Sequence, residues 1–350
     1  MAYPQASIEF DMYMELPHGI RTKFGDGKTH VLKLKKNLYD QKQAGRVWNE
    51  YLGKGLRKIG FKQSKVDPCI FYRDNLLFFF YVDDGVFVGL NEDEIKVTVE
   101  QLQKNFDLEY QGDLSDYIGV NFQQLTGGRI KISQPYLIQQ IIEEVGISNR
   151  MIDKPTPVVS TKILKRTEGV PIFDGKQFRY RRVVGKLIFL EKSTRPDIAY
   201  AVHQCARFSI EPEQSHADAI IHLARYIRDT KNEGIILDPN KDKSFEVFAD
   251  ADFAGLWDRE SAGEDVSTAK SRGEYILNFA GFPVLWASKL QTQIALSTTE
   301  AEYIALSQSL RETILVMELL KELKKKDLRH IAHPLKCTIK ILKIIQALWN

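Results

Sequence analysis

The chain has 350 residues, enough for two or three domains at the usual ~100–200 residues each. Hydrophobic residues make up 43% and charged residues 27%, a globular balance that excludes a wholly disordered or collagen-like chain. Lys and Arg number 49 against 46 Asp and Glu, so the net charge of +3 does not announce a nucleic-acid binder and any such role must rest on local patches. Cys69, Cys205 and Cys337 lie far apart, which fits a reducing compartment better than a disulfide framework. The start shows no basic segment followed by an apolar one, so no signal peptide is expected and the chain reads as intracellular, in cytoplasm or nucleus.

In chain order, the first feature is charge. Lys33 to Lys65 carries ten basic residues against two acidic ones, +8 in 33 residues, with Tyr39, Trp48, Tyr51 and Phe61 interleaved. Basic side chains with stacking rings suit a nucleic-acid track, with Lys33, Lys35, Lys36, Lys42, Gln43, Arg46 and Trp48 as its candidate contacts. A solvated amphipathic helix reads the same way. Next, Leu76 to Leu90 places two β-prone apolar runs around Asp83-Asp84-Gly85, a hairpin signal. Its apolar stretch, Leu76 to Val82, is too short to cross a membrane. The two aspartates make either a solvated turn or a site for a hard cation. Gly127-Gly128 reads as a β-turn, and 153–174, with three prolines, as a loop or linker.

A helix is expected over Ser215 to Thr230, with Ser215 and Asp218 in a capping-box arrangement. Phe245 to Phe253 reads as a strand. Tyr275–Phe279 and Pro283–Ala287 read as a hairpin turning at Ala280-Gly281, with Trp286 in the core. A long helix begins near Ser297-Thr-Thr-Glu300, with Tyr303, Leu306, Leu310, Ile314, Met317 and Leu320 as its apolar stripe. Strand, hairpin and helix together suggest an independent α/β unit from about residue 241. No spacing among the seven histidines suggests zinc, and nothing in the chain signals an oligomeric state.

The tetrad Tyr81-Val82-Asp83-Asp84, between apolar strands, resembles the catalytic hairpin of reverse transcriptases. Leu32 to Leu52 is similar to the copia-type LTR retrotransposon pattern Leu-Tyr-x-x-Lys-Gln-Ala-x-x-x-Trp. Asp67 to Tyr72, Tyr180 to Gly185 and Thr194 to Tyr200 resemble further blocks of that family. Asp40 departs from it, since glycine is usual after the Leu-Tyr pair. The resemblance implies Mg²⁺ as cofactor, with Asp83 and Asp84 among the carboxylates that hold two ions. It implies an RNA template, a DNA primer and an RNA–DNA hybrid as partners, and no membrane.

Asp250 to Gly255 and Ser297 to Tyr303 resemble the family's ribonuclease H strand and helix. By that match Asp250 and Glu302 are metal ligands. Residues two apart point to different helix faces, so Glu300 is left as the capping residue, and Asp252 is a weaker candidate beside Asp250. Without the helix match, Asp250-x-Asp252 reads as an exposed strand end. The implied fold class is α+β. It comprises incomplete reverse-transcriptase fingers and palm over 1–125, a thumb and connection region over 126–240, an incomplete ribonuclease H-like α/β domain over 241–338, and an aberrant tail over 339–350.

Each site is expected to lack one carboxylate. The family's first polymerase Asp falls just upstream of Met1, and no Asp or Glu follows Asp327 to serve the ribonuclease site. One permitted back-translation of the tail, read two bases in, gives Asn-Phe-Glu-Asp-Asn, similar to the family's block there. A frameshift near Lys340 is therefore expected. The chain reads as a catalytically dead reverse transcriptase and ribonuclease H fragment. The alternatives are a non-catalytic nucleic-acid-binding remnant and an unselected genomic relic.

Overall fold

The computed structural model describes residues 1–17, 30–148, 155–158, 164–240, 243, 245–260, 263, 265–325 and 340–343. The chain forms two compact units. Each has its own apolar core.

The first unit holds Met1–Leu114 and the end of the last helix from Glu318. Strands β1 (Tyr13–Glu15) and β2 (Val31–Lys33) pair antiparallel. Helix α1 (Ala44–Lys58) follows, then a sheet of β3 (Lys62–Gln63), β4 (Ile70–Arg73), β5 (Leu76–Tyr81) and β6 (Asp84–Val88) in that order, then α2 (Glu92–Gln103). In α1, Ala44, Val47, Trp48, Leu52 and Leu56 recur at helical spacing and are buried. They pack on Phe71, Leu76, Phe78, Phe80 and Phe106, while Arg46, Lys54, Arg57 and Lys58 stay exposed. Asn91 caps α2 through the Asp93 N–H, 2.9 Å away, and three acidic residues occupy its first turn, where the helix dipole favours them.

The second unit begins with β7 (Asp116–Tyr117), β8 (Val120–Gln124) and β9 (Ile130–Ser133). Four helices form its core: α3 (Pro135–Val145), α4 (Tyr180–Ser193), α5 (Ala199–Ala206) and α6 (Gln214–Asp229). Strand β10 (Ile235–Leu237) then returns to pair with β9. Strands β11 (Phe245–Ala251), β12 (Arg272–Phe279) and β13 (Phe282–Leu290) form an antiparallel meander. Helix α7 (Thr298–Lys325) leads to β14 (Lys340–Lys343), which pairs parallel to β11 and gives the order β13-β12-β11-β14.

The expected β12–β13 hairpin is present. Ala280 and Gly281 have φ of 49° and 94°, the two positive values that a tight turn matching strand twist requires. Trp286 is buried as expected and donates its indole N–H to the Glu191 carbonyl, 3.0 Å away. Helix α7 begins where expected. The Ser297 hydroxyl accepts from the Glu300 N–H at 3.1 Å, and the Glu300 carboxylate accepts from the Leu296 N–H at 2.7 Å.

Two expectations change. The helix after the loop is capped by Glu213 and His216, not by Ser215 and Asp218; His216 stacks on Phe208 at 3.8 Å and is buried there. The predicted stripe of α7 is not its buried face. Ala301, Ala305, Ser309 and Thr313 are buried, and Tyr303 and Ile314 are exposed. The cause is close approach: a Cβ on Gly273 of β12 would lie 3.4 Å from Ala305 Cβ, so only small residues fit that seam.

The chain divides differently from the sequence motifs. The division falls at Leu114/Ser115, and 126–240 shares a unit with 245–317, because β10 closes the β7–β9 sheet and Trp286 joins Ala199, Ile235 and Ile132 in one apolar cluster. The described part of the expected linker is tied down. The Phe173 N–H donates to the Pro212 carbonyl and the Thr167 N–H to Glu213, both at 2.7 Å. After α7 a strand is present at Lys340–Lys343 and pairs in the sheet. Cys337 and the remainder of the tail lie outside the described residues.

Burial beside α4 and the sheet pushes the His203 imidazole down to about 4, helped by Lys192, Lys289 and Arg272. The unfolded chain takes this proton near the ordinary value of 6.5. Between those values the unfolded state binds more protons, so stability rises with pH there. Denaturant unfolding followed from pH 7 to pH 4.5 should show stability falling through this window. His203→Gln should flatten the fall; an unchanged slope would contradict it.

Candidate functional site

The tip of the β5–β6 hairpin is the first candidate centre. The expected turn residues were Asp83-Asp84-Gly85, but the loop is Val82-Asp83, and Asp84 already pairs with Tyr81 as the first residue of β6. Core packing sets this register. It puts Phe87 opposite Phe78, with ring centroids 4.5 Å apart on the α1 side, and a slip of one residue would send Phe87 to the other face. Gly85 serves the strand and not the turn, since a Cβ there would lie 2.7 Å from the Phe78 ring. The turn falls instead on Val82, a β-branched residue at φ 54°. That conformation costs on the order of 1–3 kcal/mol and persists only where surroundings over-determine it.

Trp48 supplies part of that determination. Its indole N–H donates to the Val82 carbonyl at 2.8 Å, from a side chain only 6% exposed. Trp48 was expected to stack in a nucleic-acid track; it is instead a core residue that braces the tip. Sequence reasoning gave it the wrong partner because periodicity cannot say which aromatic of an amphipathic helix lies inward.

Asp83 is exposed and hydrogen-bonded. The Tyr39 hydroxyl lies 2.8 Å from each of its carboxylate oxygens, and the Ala2 N–H donates to one of them at 3.2 Å. Burial first, then the bond to Asp83, pushes the Tyr39 phenol above its ordinary value, so it remains a donor at neutral pH. The Tyr3 ring lies 4.6 Å from the Tyr39 ring. Asp40, where the resemblance expects glycine, has φ 68°. Left-handed backbone explains the glycine, and Asp is among the few side chains that tolerate it. Asp84 is exposed and shows no hydrogen bond among the described residues.

The basic segment is partly neutralised by residues that precede it. Lys33 pairs with Asp11 at 2.7 Å. Arg46 lies between Glu9 at 2.5 Å and Glu50 at 2.9 Å. Lys36 donates to the Gln5 carbonyl at 3.0 Å, and the Gln43 amide contacts the Met12 sulfur. Lys35 and Lys42 are exposed. Glu9 and Asp11 carried no assigned role in the sequence; only the fold brings them to these cations.

The second candidate centre is the end of β11. Asp250 faces Glu274 across the ladder. Gly273, next to Glu274, lies on the opposite face, the one that Ala305 and Gln308 of α7 approach. Strand alternation therefore aims Asp250 away from the helix that carries Glu302. Glu302 is half-buried. Asp252 lies beyond the strand, and its carboxylate accepts from the Arg272 N–H at 2.6 Å, a bond that closes the loop. Among the described residues no three His, Cys, Asp or Glu side chains gather closely enough to hold a metal ion. Asp83 and Asp84, with one carboxylate engaged by Tyr39, do not make a complete Mg²⁺ site on their own.

Residues 1–160, which hold the hairpin tip and the basic segment, match the family described as reverse transcriptase (RNA-dependent DNA polymerase). The chain is 31% identical over 92% of its length to the retrovirus-related Pol polyprotein from transposon TNT 1-94 of Nicotiana tabacum. It is equally similar, 31% over 92%, to the Pol polyprotein from transposon RE1 of Arabidopsis thaliana. The chain is similar over most of its length to retrovirus-related Pol polyproteins of transposons. It spans 24% and 21% of those two polyproteins. It is also 28% identical to the putative transposon Ty5-1 protein of Saccharomyces cerevisiae, over 89% of this chain and 98% of that one. No helix among the described residues is long and apolar enough to cross a membrane.

Two contacts of the chain had no sequence signal. Glu322, from the end of α7, accepts from the Ser64 hydroxyl at 2.8 Å and the Lys65 N–H at 3.1 Å. Its neighbour Leu323 packs on Tyr72 and Leu77. The brace at the tip gives the sharper test. Trp48→Phe keeps an aromatic ring but loses the indole N–H and leaves the Val82 carbonyl without its donor, which should cost at least about 1–3 kcal/mol. Urea unfolding measures it, and a midpoint equal to the parent's would contradict the role.

Proposed function

We propose that this chain is the part of a copia-type retroelement polymerase that lies along an RNA template and a DNA primer, followed by a ribonuclease H-like region for the RNA–DNA hybrid. We further propose that the chain by itself catalyses neither templated synthesis nor hybrid cleavage. The polymerase half of the reading is supported by the hairpin tip, where two adjacent carboxylates stand on a braced turn within the residues matched to reverse transcriptases. The ribonuclease H half is supported by the strand order β13-β12-β11-β14, with Asp250 on β11 and a long capped helix carrying Glu302.

The observation that carries the inactivity is the engagement of Asp83. In intact relatives, paired Mg²⁺ would activate the primer 3′-hydroxyl and neutralise the departing pyrophosphate. Here one of the two tip carboxylates accepts hydrogen bonds from Tyr39 and Ala2, and no third ligand stands near among the described residues. In the second unit, Asp250 is aimed at Glu274 and away from α7. What remains is surface. Lys35, Lys42, Lys54 and Lys58 are exposed cations able to meet phosphates, which supports a second reading as a non-catalytic nucleic-acid binder.

Primer extension on an RNA template with Mg²⁺ or Mn²⁺ tests the proposal. Primer–template should bind, more weakly as salt rises, with no templated product. Robust templated synthesis would overturn the inactivity. Absence of binding at low salt would overturn the nucleic-acid role as well.

A further inference from the structure

Two buried arginines in the second unit show opposite states. Arg195, 2% exposed, uses every edge of its guanidinium. Nε and Nη2 donate to the two oxygens of Asp197 at 2.8 and 2.7 Å, and Nη1 and Nη2 donate to the carbonyl and hydroxyl of Thr230. The Nε/Nη2 edge there is filled by a carboxylate in a fork-to-fork pair.

Arg272 is 3% exposed and half used. Nη1 donates to the Ser288 carbonyl at 3.1 Å and hydroxyl at 3.2 Å, but Nε and Nη2 have no acceptor among the described residues. Two carboxylates lie near enough to act on the Arg272 charge, and each accepts from another donor. Glu274 accepts from the Ser288 hydroxyl at 2.6 Å, and Asp252 accepts from the Arg272 backbone N–H. The guanidinium lies 4.9 Å from the centre of the Tyr200 ring.

Tyr200 begins a stripe at helical spacing on α5 and its C-cap: Tyr200, His203, Gln204 and Arg207. The His203 Nε2 and Gln204 Nε2 atoms are also buried without a partner among the described residues. The Gln204 carbonyl is occupied by Arg207 at 3.2 Å, which leaves only the donating end of that amide. So two facing elements carry three buried donors without acceptors, the Arg272 edge on β12 and the Gln204 amide on α5, and Arg272 lies close enough to the neutral His203 imidazole to act on it. A buried donor left unmade is costly, and more so when charged. A water molecule accepts only two hydrogen bonds. An oxyanion accepts from all three donors.

We propose that Arg272, with Gln204 and His203 beside it and Tyr200 over its face, forms a binding site for a small oxyanion of the phosphate class. The site lies between α5 and the β12–β13 hairpin, and Tyr200, 38% exposed, is its outer wall. It is separate from the hairpin tip, and it stands whether or not the chain polymerises.

The test uses the full chain and inorganic phosphate. Calorimetric titration should show saturable binding, and thermal unfolding should shift upward in phosphate over chloride at equal ionic strength. Arg272→Met should abolish both responses. Gln204→Leu, which keeps the buried arginine and its Ser288 bonds, should weaken binding about tenfold and decides the matter if the first variant does not fold. No saturable binding by the parent chain would overturn the proposal. So would binding that is unchanged in Gln204→Leu, because the phosphate would then sit elsewhere.

Discussion

A carbonyl at a hairpin tip that is turned toward the core must find a donor there. Val82 finds the indole N–H of Trp48. Much of the first unit follows from that contact. It steadies the turn on a β-branched residue with positive φ, in the register that core packing sets. Phe87 then meets Phe78, Gly85 makes room for the Phe78 ring, and Asp83 is presented outward beside Tyr39. A candidate catalytic carboxylate thus owes its position to a tryptophan one helix away.

Both candidate centres follow the same electrostatic rule. Carboxylates are present in both, and several of them in and around the centres accept hydrogen bonds from the chain, while Asp84 accepts none among the described residues. Asp83 takes the Tyr39 hydroxyl, Asp252 the Arg272 amide, Glu274 the Ser288 hydroxyl, and Glu322 the Ser64 hydroxyl and Lys65 amide. Each such bond steadies a turn or a strand end. Cations follow a parallel course: Lys33 and Arg46 are matched to acids outside their own segment. Arg272 stands apart, a buried cation with its best edge unmet.

Much of the fold was legible where local chemistry decides it. Ala280-Gly281 named its own turn, Ser297 and Glu300 named a helix start, and Trp286 read as core. Legibility failed where tertiary contact overrides local signal. Asp83-Asp84-Gly85 carries a strong turn signature, yet packing of Phe78 on Phe87 moved the turn by one residue. The large apolar residues of α7 promised a buried stripe, yet Gly273 admits only Ala305 and its small neighbours. At the site, Asp83 and Asp84 were visible from their flanks. The Tyr39 bond was not, because its partners lie 44 residues apart.

The central claim is that the hairpin tip is a braced turn whose first carboxylate serves the protein and not a metal ion. Titration of the full chain with Mn²⁺, read by loss of the free-ion paramagnetic resonance signal, tests it most directly. The account predicts no saturable site, with parent and Asp83→Asn binding alike. Saturable binding that disappears in Asp83→Asn would contradict it.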